Sequence, residues 1–306
     1  MAVVCEVDTV SDSTPGEIMY EYWNKMIEDK SSVPEYSRFG RIVSPYWKLE
    51  RRLVVELSLS YLQSTSRNRK LLILKSDLWN EGIDSSSGDI HDFLGEWDGT
   101  VDTVGIDVSP VICSFAIKKM RNEELTIVCA DVRQLPFREE TFDAIFDVST
   151  IDHIPPNHVS SVLKEYQRTL IKGGILTLIF DSTTFWWCRY LRKIFNRVRC
   201  ERAVNFKLWW QYPPEWIKDQ LDDCDFTILG SLRLGILSLS PLFLMIRQSV
   251  LARGIVSRLL YGSARNVKCI RASQYLLPLS SQHLFILRKK SKEGEIQATD
   301  ANLSPD

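Results

Sequence analysis

The chain of 306 residues contains no Cys-x-x-Cys pair, and its seven cysteines (Cys5, Cys113, Cys129, Cys188, Cys200, Cys224 and Cys269) are scattered. That excludes the usual disulfide framework and zinc ribbon, and points to reduced, mostly buried thiols in a cytoplasmic protein. The four histidines (His91, His153, His158 and His283) show no His-x-x-x-His spacing, so no metal site is expected. An excess of one charge is also missing. The 38 basic residues face 39 acidic ones, a formal net charge of −1, which gives no support to general polyanion binding. The longest apolar run, LGILSLSPLFLMI at 234–246, is broken by Pro241 and falls short of the ~20 residues of a spanning helix. The first residues carry Glu6 and Asp8 and no basic stretch, unlike a signal peptide. The expectation is a soluble protein, with peripheral membrane contact left open.

One scarcity is local. LLILKSDLWNEG, at 71–82, opens as a short apolar run suited to a parallel strand covered on both faces. A nucleotide-binding α/β domain would continue with a glycine-rich turn, whose backbone approaches the ligand. Here the turn has no glycine before Gly82.

What is present is an alternation. At 44% hydrophobic residues, the chain can bury one large domain or one domain with an elaborate cap. Thr14, Pro15 and Glu17 read as a helix start, and a second helix is expected from about residue 45 to 64, with Leu53, Val54, Leu57 and Tyr61 on one face. From residue 70 strands alternate with helices: KLLIL, TVDTVGIDVS, LTIVCADV, FDAIFDVST and ILTLIFDS are strands, while DIHDFLGEW, PVICSFAIKKM and HVSSVLKEYQRTL are helical. This order implies a doubly wound α/β fold on a parallel sheet. PPEWIKDQLDDC is then a short helix, DFTILGSLRLG a sixth strand and QHLFILRKK the closing strand. The resulting division is an N-terminal helical cap segment at 1–66, a core at 67–184, lid insertions plus closing strands at 185–290, and a disordered polar tail at 291–306.

In a doubly wound sheet ligands bind outside the carboxyl ends of the strands. Acids stand at three such ends: Asp107, Asp131 and Asp147. A carboxylate after the second strand can accept both hydroxyls of a ribose, and one after the third can accept from an adenine amino group. GIDVSP, ADVRQLPFREETFDAIF and VLKEYQRTLIKGGILTLI together resemble the class I S-adenosylmethionine-dependent methyltransferases, in their small-molecule branch, over roughly residues 70–182. The resemblance implies a seven-stranded Rossmann-like sheet with helical N-terminal and C-terminal cap insertions. It also implies S-adenosylmethionine as cofactor, ribose binding at Asp107, and adenine contacts from Ile106, Val108, Asp131 and Val132. The chain departs from that family's Asp-x-Gly-x-Gly turn after the first strand. Its own turn resembles a variant of the same superfamily, Thr-Asp-Leu-aromatic-Asn-Glu-small, which is paired with a segment such as STIDHI at 149–154. That likeness implies cofactor contacts from Asp77, Glu81, Gly82, Ser149 and Thr150. A carboxylate there would attract the ammonium and sulfonium of the cofactor; Asp77 could equally serve as a helix N-cap. Asp152 and His153 are the candidate pair for taking a proton from the acceptor, and His153 could instead only pack at the strand end.

Residues 185–216 interleave Trp186, Trp187, Trp209, Trp210 and Trp216 with arginines and lysine. A substrate lid, an interfacial helix, an RNA-contacting patch and a plain cap helix with a solvated basic face all fit that composition. A large lipophilic cap favours a bulky apolar or aromatic small molecule over a protein or nucleic acid. Tyr36, Arg38, Arg41, Tyr46, Trp186 and Trp187 are the candidate substrate contacts. The expected activity is methyl transfer to such an acceptor at oxygen, nitrogen or carbon. The alternatives are a protein that keeps the fold and binds without methyl transfer, and a membrane-peripheral lipid or quinone methyltransferase. Oligomeric state is not readable.

Overall fold

The computed structural model describes residues 51–52, 54–62, 70–83, 94, 101–120, 125–182, 210–234 and 282–290. The expected N-terminal helix, most of the basic aromatic segment and the polar tail lie outside these residues, as do Tyr36, Arg38, Arg41, Tyr46, Trp186 and Trp187.

Seven strands form one sheet: β1 (Leu71–Ser76), β2 (Val101–Asp107), β3 (Leu125–Cys129), β4 (Phe142–Val148), β5 (Leu170–Asp181), β6 (Phe226–Leu234) and β7 (Gln282–Lys289), in the order β3-β2-β1-β4-β5-β7-β6. The β1 to β5 strands are mutually parallel, with Ser76 in register with Ile106 on one side and Asp147 on the other. The sheet is not wholly parallel, however. The β7 strand runs antiparallel to both β5 and β6 and sits between them. An apolar run such as HLFIL states that a strand is buried on both faces and carries no mark of its direction. Every residue of β4 is buried, as its central place requires.

The helices follow local signals. The helix α2 (Pro110–Lys119), which comes after a single helical turn α1 (Trp79–Gly82), starts with Pro110 at its first position and with the Ser109 hydroxyl accepting from Ile112 N at 3.3 Å. The helices α3 (Pro156–Thr169) and α4 (Pro214–Asp222) also begin on proline. Val159, Val162, Leu163 and Tyr166 of α3 and Ile217 and Leu221 of α4 are buried against Phe142, Ile145, Leu176, Leu178 and Phe285. A second apolar cluster joins Val54, Val55, Leu59 and Leu62, from a helical stretch over 54–60, to Ile73, Phe146, Ile179 and Ile286. The described part of the expected second helix is therefore helical.

Two elements are held close by glycine. A Cβ on Gly105 of β2 would lie 2.5 Å from Cδ2 of Leu78, which is fully buried. A Cβ on Gly82 would meet the Ile112 carbonyl at 3.0 Å, so Gly82 lets α1 close on α2. Changing Gly105 to Ala should lower stability by about 1–3 kcal/mol through overpacking of Leu78, seen as a lower urea midpoint with an unchanged m-value.

Candidate active site

The parallel strands bring Ser76, Asp107, Asp147 and Asp181 to one edge of the sheet. Adjacent strands are about 4.8 Å apart, so the edge from β2 through β1 and β4 to β5 spans roughly 14 Å. It is built from carboxyls and hydroxyls that tie the strand ends together.

At the centre is the turn after β1. Asp77 occupies left-handed backbone space at φ 72°, a conformation that glycine normally supplies, and its carboxylate accepts from Trp79 N at 2.8 Å. Aspartate tolerates the positive φ because its short side chain bonds the local backbone. The fold therefore keeps a glycine-like bend without glycine. Asp107 receives the other side of the turn: Leu78 N donates to its Oδ2 at 3.1 Å and Ser109 N to its Oδ1 at 2.8 Å. Burial, then the neighbouring charge of Asp77, pushes the Asp107 carboxyl up to about 7. Asp77 is also raised, by burial, against the lowering charges of Lys75 and Arg51.

Beneath the turn lies an ion pair that sequence reasoning missed. Lys75 Nζ donates to Glu81 Oε2 at 2.7 Å and to the Asp77 carbonyl, and the two side chains are 1% and 0% exposed. Glu81 Oε1 is buried without a hydrogen-bond partner. A lysine in the last turn of a buried strand, six residues before a glutamate, was the available signal.

On the β4 side, Ser149 also has positive φ, at 65°, and Ser76 and Thr150 share a hydroxyl–hydroxyl bond of 2.9 Å. Asp147 is fully buried. Its Oδ1 accepts from Thr150 N at 2.9 Å, and its Oδ2 accepts from the Tyr166 hydroxyl at 2.8 Å. Burial outweighs these bonds and pushes it up to about 7. A 3-10 turn (Ile151–His153) follows. Asp152 is fully buried, with Oδ1 accepting from Asp181 N at 2.7 Å and its backbone carbonyl accepting from Trp210 N at 2.7 Å. Burial and the charge of Asp181 hold its carboxyl well above the usual range. Tyr212 continues the strap: its N–H donates to Asp181 O at 3.0 Å, its hydroxyl to Ile154 O, and its ring stacks on Trp216.

Asp131 is half-buried and gripped by the Arg133 side chain, with Nη2 2.5 Å and Nε 2.9 Å from Oδ2. At the start of β7, His283 is buried between Phe180 and Phe285, with Nε2 2.8 Å from the Ser231 hydroxyl. Burial pushes it down to about 4, so it is neutral.

The structure thus brings Asp77, Asp107, Ser149 and Thr150 together at the edge and gives four other expected site residues internal contacts. Gly82 faces α2 rather than a ligand. Ile106 is completely buried in the apolar core, which Val132 joins, while Val108 is half-buried. Glu81 is committed to Lys75. Asp152 pins the β4 exit to Asp181 and the 210–212 segment, while His153 is half-buried on the same turn. No cluster with metal-ligand geometry occurs among the described residues.

This mixed seven-stranded sheet, with acids along its carboxyl edge and a crossover beside β1, defines a Rossmann-like α/β domain. Residues 85–178 match the family described as methyltransferase domain. A sterol 4-C-methyltransferase of Caenorhabditis elegans is 30% identical over 97 residues, 30% of this chain and 27% of that protein. The matched segment thus spans about a quarter of that relative's length. The magnesium protoporphyrin IX methyltransferase of Synechocystis PCC 6803 superposes with a TM-score of 0.54 at 13% identity, over 90% of this chain and 99% of that one. The 1,6-didemethyltoxoflavin-N1-methyltransferase of Burkholderia thailandensis gives 0.53 at 13% identity, over 93% and 94%. At such identities these structures speak for the fold. The chain thus shares its fold with these two methyltransferases, and residues 85–178 carry the methyltransferase-domain match.

The Asp147 shift has a measurable consequence. With its folded-state value raised from 3.8 to about 7, the folded protein holds a proton that the unfolded chain has lost over that interval. Stability from this group therefore falls as pH rises from about 4 to about 7, by on the order of 3 kcal/mol. Replacing Asp147 by Asn, which preserves shape and lets the Tyr166 hydroxyl turn to accept, should make the decline in urea midpoint between pH 4 and 8 shallower than in the wild type.

Proposed function

We propose that this protein transfers a methyl group from S-adenosylmethionine to a bulky, apolar small-molecule acceptor in the cytoplasm. The observation that carries the reading is the row of edge carboxyls, centred on Asp107, in a chain whose residues 85–178 match the methyltransferase-domain family. The cofactor supplies an electrophilic methyl carried on a sulfonium. The nucleoside half fits the residues present. Asp107 keeps an open lone pair on each oxygen beyond its two amide bonds and is 8% exposed, and a ribose diol can donate to both. Val108, Val132 and Asp131 flank the next strand end, where an adenine would rest. The amino-acid half does not fit in the same way, because the Glu81 carboxylate beneath the turn is already paired with Lys75.

The chain's share of the chemistry is positional. The edge holds donor and acceptor in line, and the low dielectric around buried carboxyls strengthens their attraction for a cationic centre. His153 would take the proton from an acceptor oxygen, nitrogen or acidic carbon. Ser149 and Thr150, fixed by Gln282 and Ser76, would line the transfer path. The sterol methyltransferase relative makes fused-ring, apolar acceptors the first class to try, with Tyr36, Arg38, Tyr46, Trp186 and Trp187 proposed as substrate contacts in a lid. An acceptor of that kind partitions into membranes, which suits peripheral attachment; among the described residues no helix is long and apolar enough to cross one. The Lys75–Glu81 pair favours a second reading, in which the site binds a nucleoside without methyl transfer.

Titration calorimetry with S-adenosylhomocysteine should show binding that Asp107→Ala abolishes. Binding should also weaken as pH falls below about 7, where Asp107 takes up a proton. Methyl transfer to a sterol mixture, followed with radiolabelled cofactor, should drop at least tenfold in His153→Ala at unchanged cofactor affinity. No heat at millimolar nucleoside would remove the proposal.

A further inference from the structure

Lys75 and Glu81 present a combination that the proposed function does not use. A primary ammonium, fully enclosed, donates to one carboxylate oxygen and to a backbone carbonyl of the turn, while the second carboxylate oxygen is buried without a partner. Burying such a pair is costly, and removing either member alone leaves a buried charge. The pair therefore holds the turn closed. Its chemistry is also that of a ligand site already filled. The ammonium of an α-amino acid would seek the same acceptors: a carboxylate and a turn carbonyl. In this chain they are met by the protein's own lysine, from the position where the strand delivers its last side chains to the edge.

We propose that Lys75 is a resident substitute for the ammonium of the cofactor's amino-acid end, so that the site recognises 5′-thioadenosines by their nucleoside half and is indifferent to the amino-acid tail. This rests on the nucleoside assignment at Asp107. It adds a ligand class, thioadenosines that lack the amino acid altogether. The coupling is competitive. A ligand ammonium gains Glu81 only by displacing Lys75, so it exchanges one ion pair for another and its differential affinity is near zero.

The test compares two nucleosides on the same protein, 5′-methylthioadenosine and S-adenosylhomocysteine, by titration calorimetry and by the shift in thermal midpoint. The expected result is dissociation constants within threefold of each other on the wild type. In Lys75→Met, which keeps the length and removes the charge, Glu81 loses its paired ammonium. S-adenosylhomocysteine should then bind at least tenfold more tightly than methylthioadenosine. In the double variant Lys75→Met/Glu81→Gln, which removes both charges of the pair and guards against a misfolded single variant, the ratio should return to within threefold. A wild type that already prefers S-adenosylhomocysteine by tenfold or more overturns the inference and leaves the nucleoside site standing. So does a Lys75→Met variant that folds and shows no gain. Absence of binding by both nucleosides to the wild type overturns the inference together with the Asp107 assignment.

Discussion

The Asp107 carboxylate is the interaction on which the edge of this sheet depends. Each of its oxygens receives a backbone amide, one from Leu78 in the turn after β1 and one from Ser109 at the start of α2. A single side chain thereby fixes the ends of two adjacent parallel strands and the entry to a helix. The Ser109 hydroxyl then caps that helix, and Leu78 seats on Gly105, where no Cβ stands in its way. Because these amides are spent inside the protein, the turn can hold its shape without a glycine backbone packed against a ligand.

The same economy runs along the edge. Asp147 gathers the Thr150 amide and the Tyr166 hydroxyl; Asp152 gathers the Asp181 amide; Lys75 joins Glu81 to the turn carbonyl. Buried carboxyls of this kind satisfy backbone donors that a chain leaving a sheet would otherwise strand. Asp147 and Asp152 are raised in proton affinity by the same burial that makes them effective. The edge is thus a structural seam whose hydrogen bonding and proton affinity are set by the same burial.

Much of this was legible in the sequence. The strand runs, the proline-led helices and the acids at strand ends follow from periodicity and from the rule that ligands meet the carboxyl edge. Asp77, Asp107, Ser149 and Thr150 do lie together there. What could not be read was the commitment of each side chain. Ile106 and Val108 are two residues apart, yet one is sealed in the core and the other reaches the edge. Asp152 and His153 are neighbours in sequence, but the 3-10 turn sends the first inward to Asp181 and leaves the second half-exposed. The reversed direction of β7 also has no local signature.

The sequence by itself determined the α/β alternation, the placing of acids at the strand ends and the lack of a glycine-rich turn, because these depend on residue type and spacing along the chain. The tertiary structure alone decided that Asp77 would adopt a glycine's backbone conformation, that Lys75 would neutralise Glu81, and that Asp107 would clamp two strands. Those outcomes depend on which groups meet when β1, β2 and β4 are laid side by side. Burial then sets whether a carboxyl is charged, paired or protonated, and burial is a property of the packed sheet rather than of any stretch of the chain.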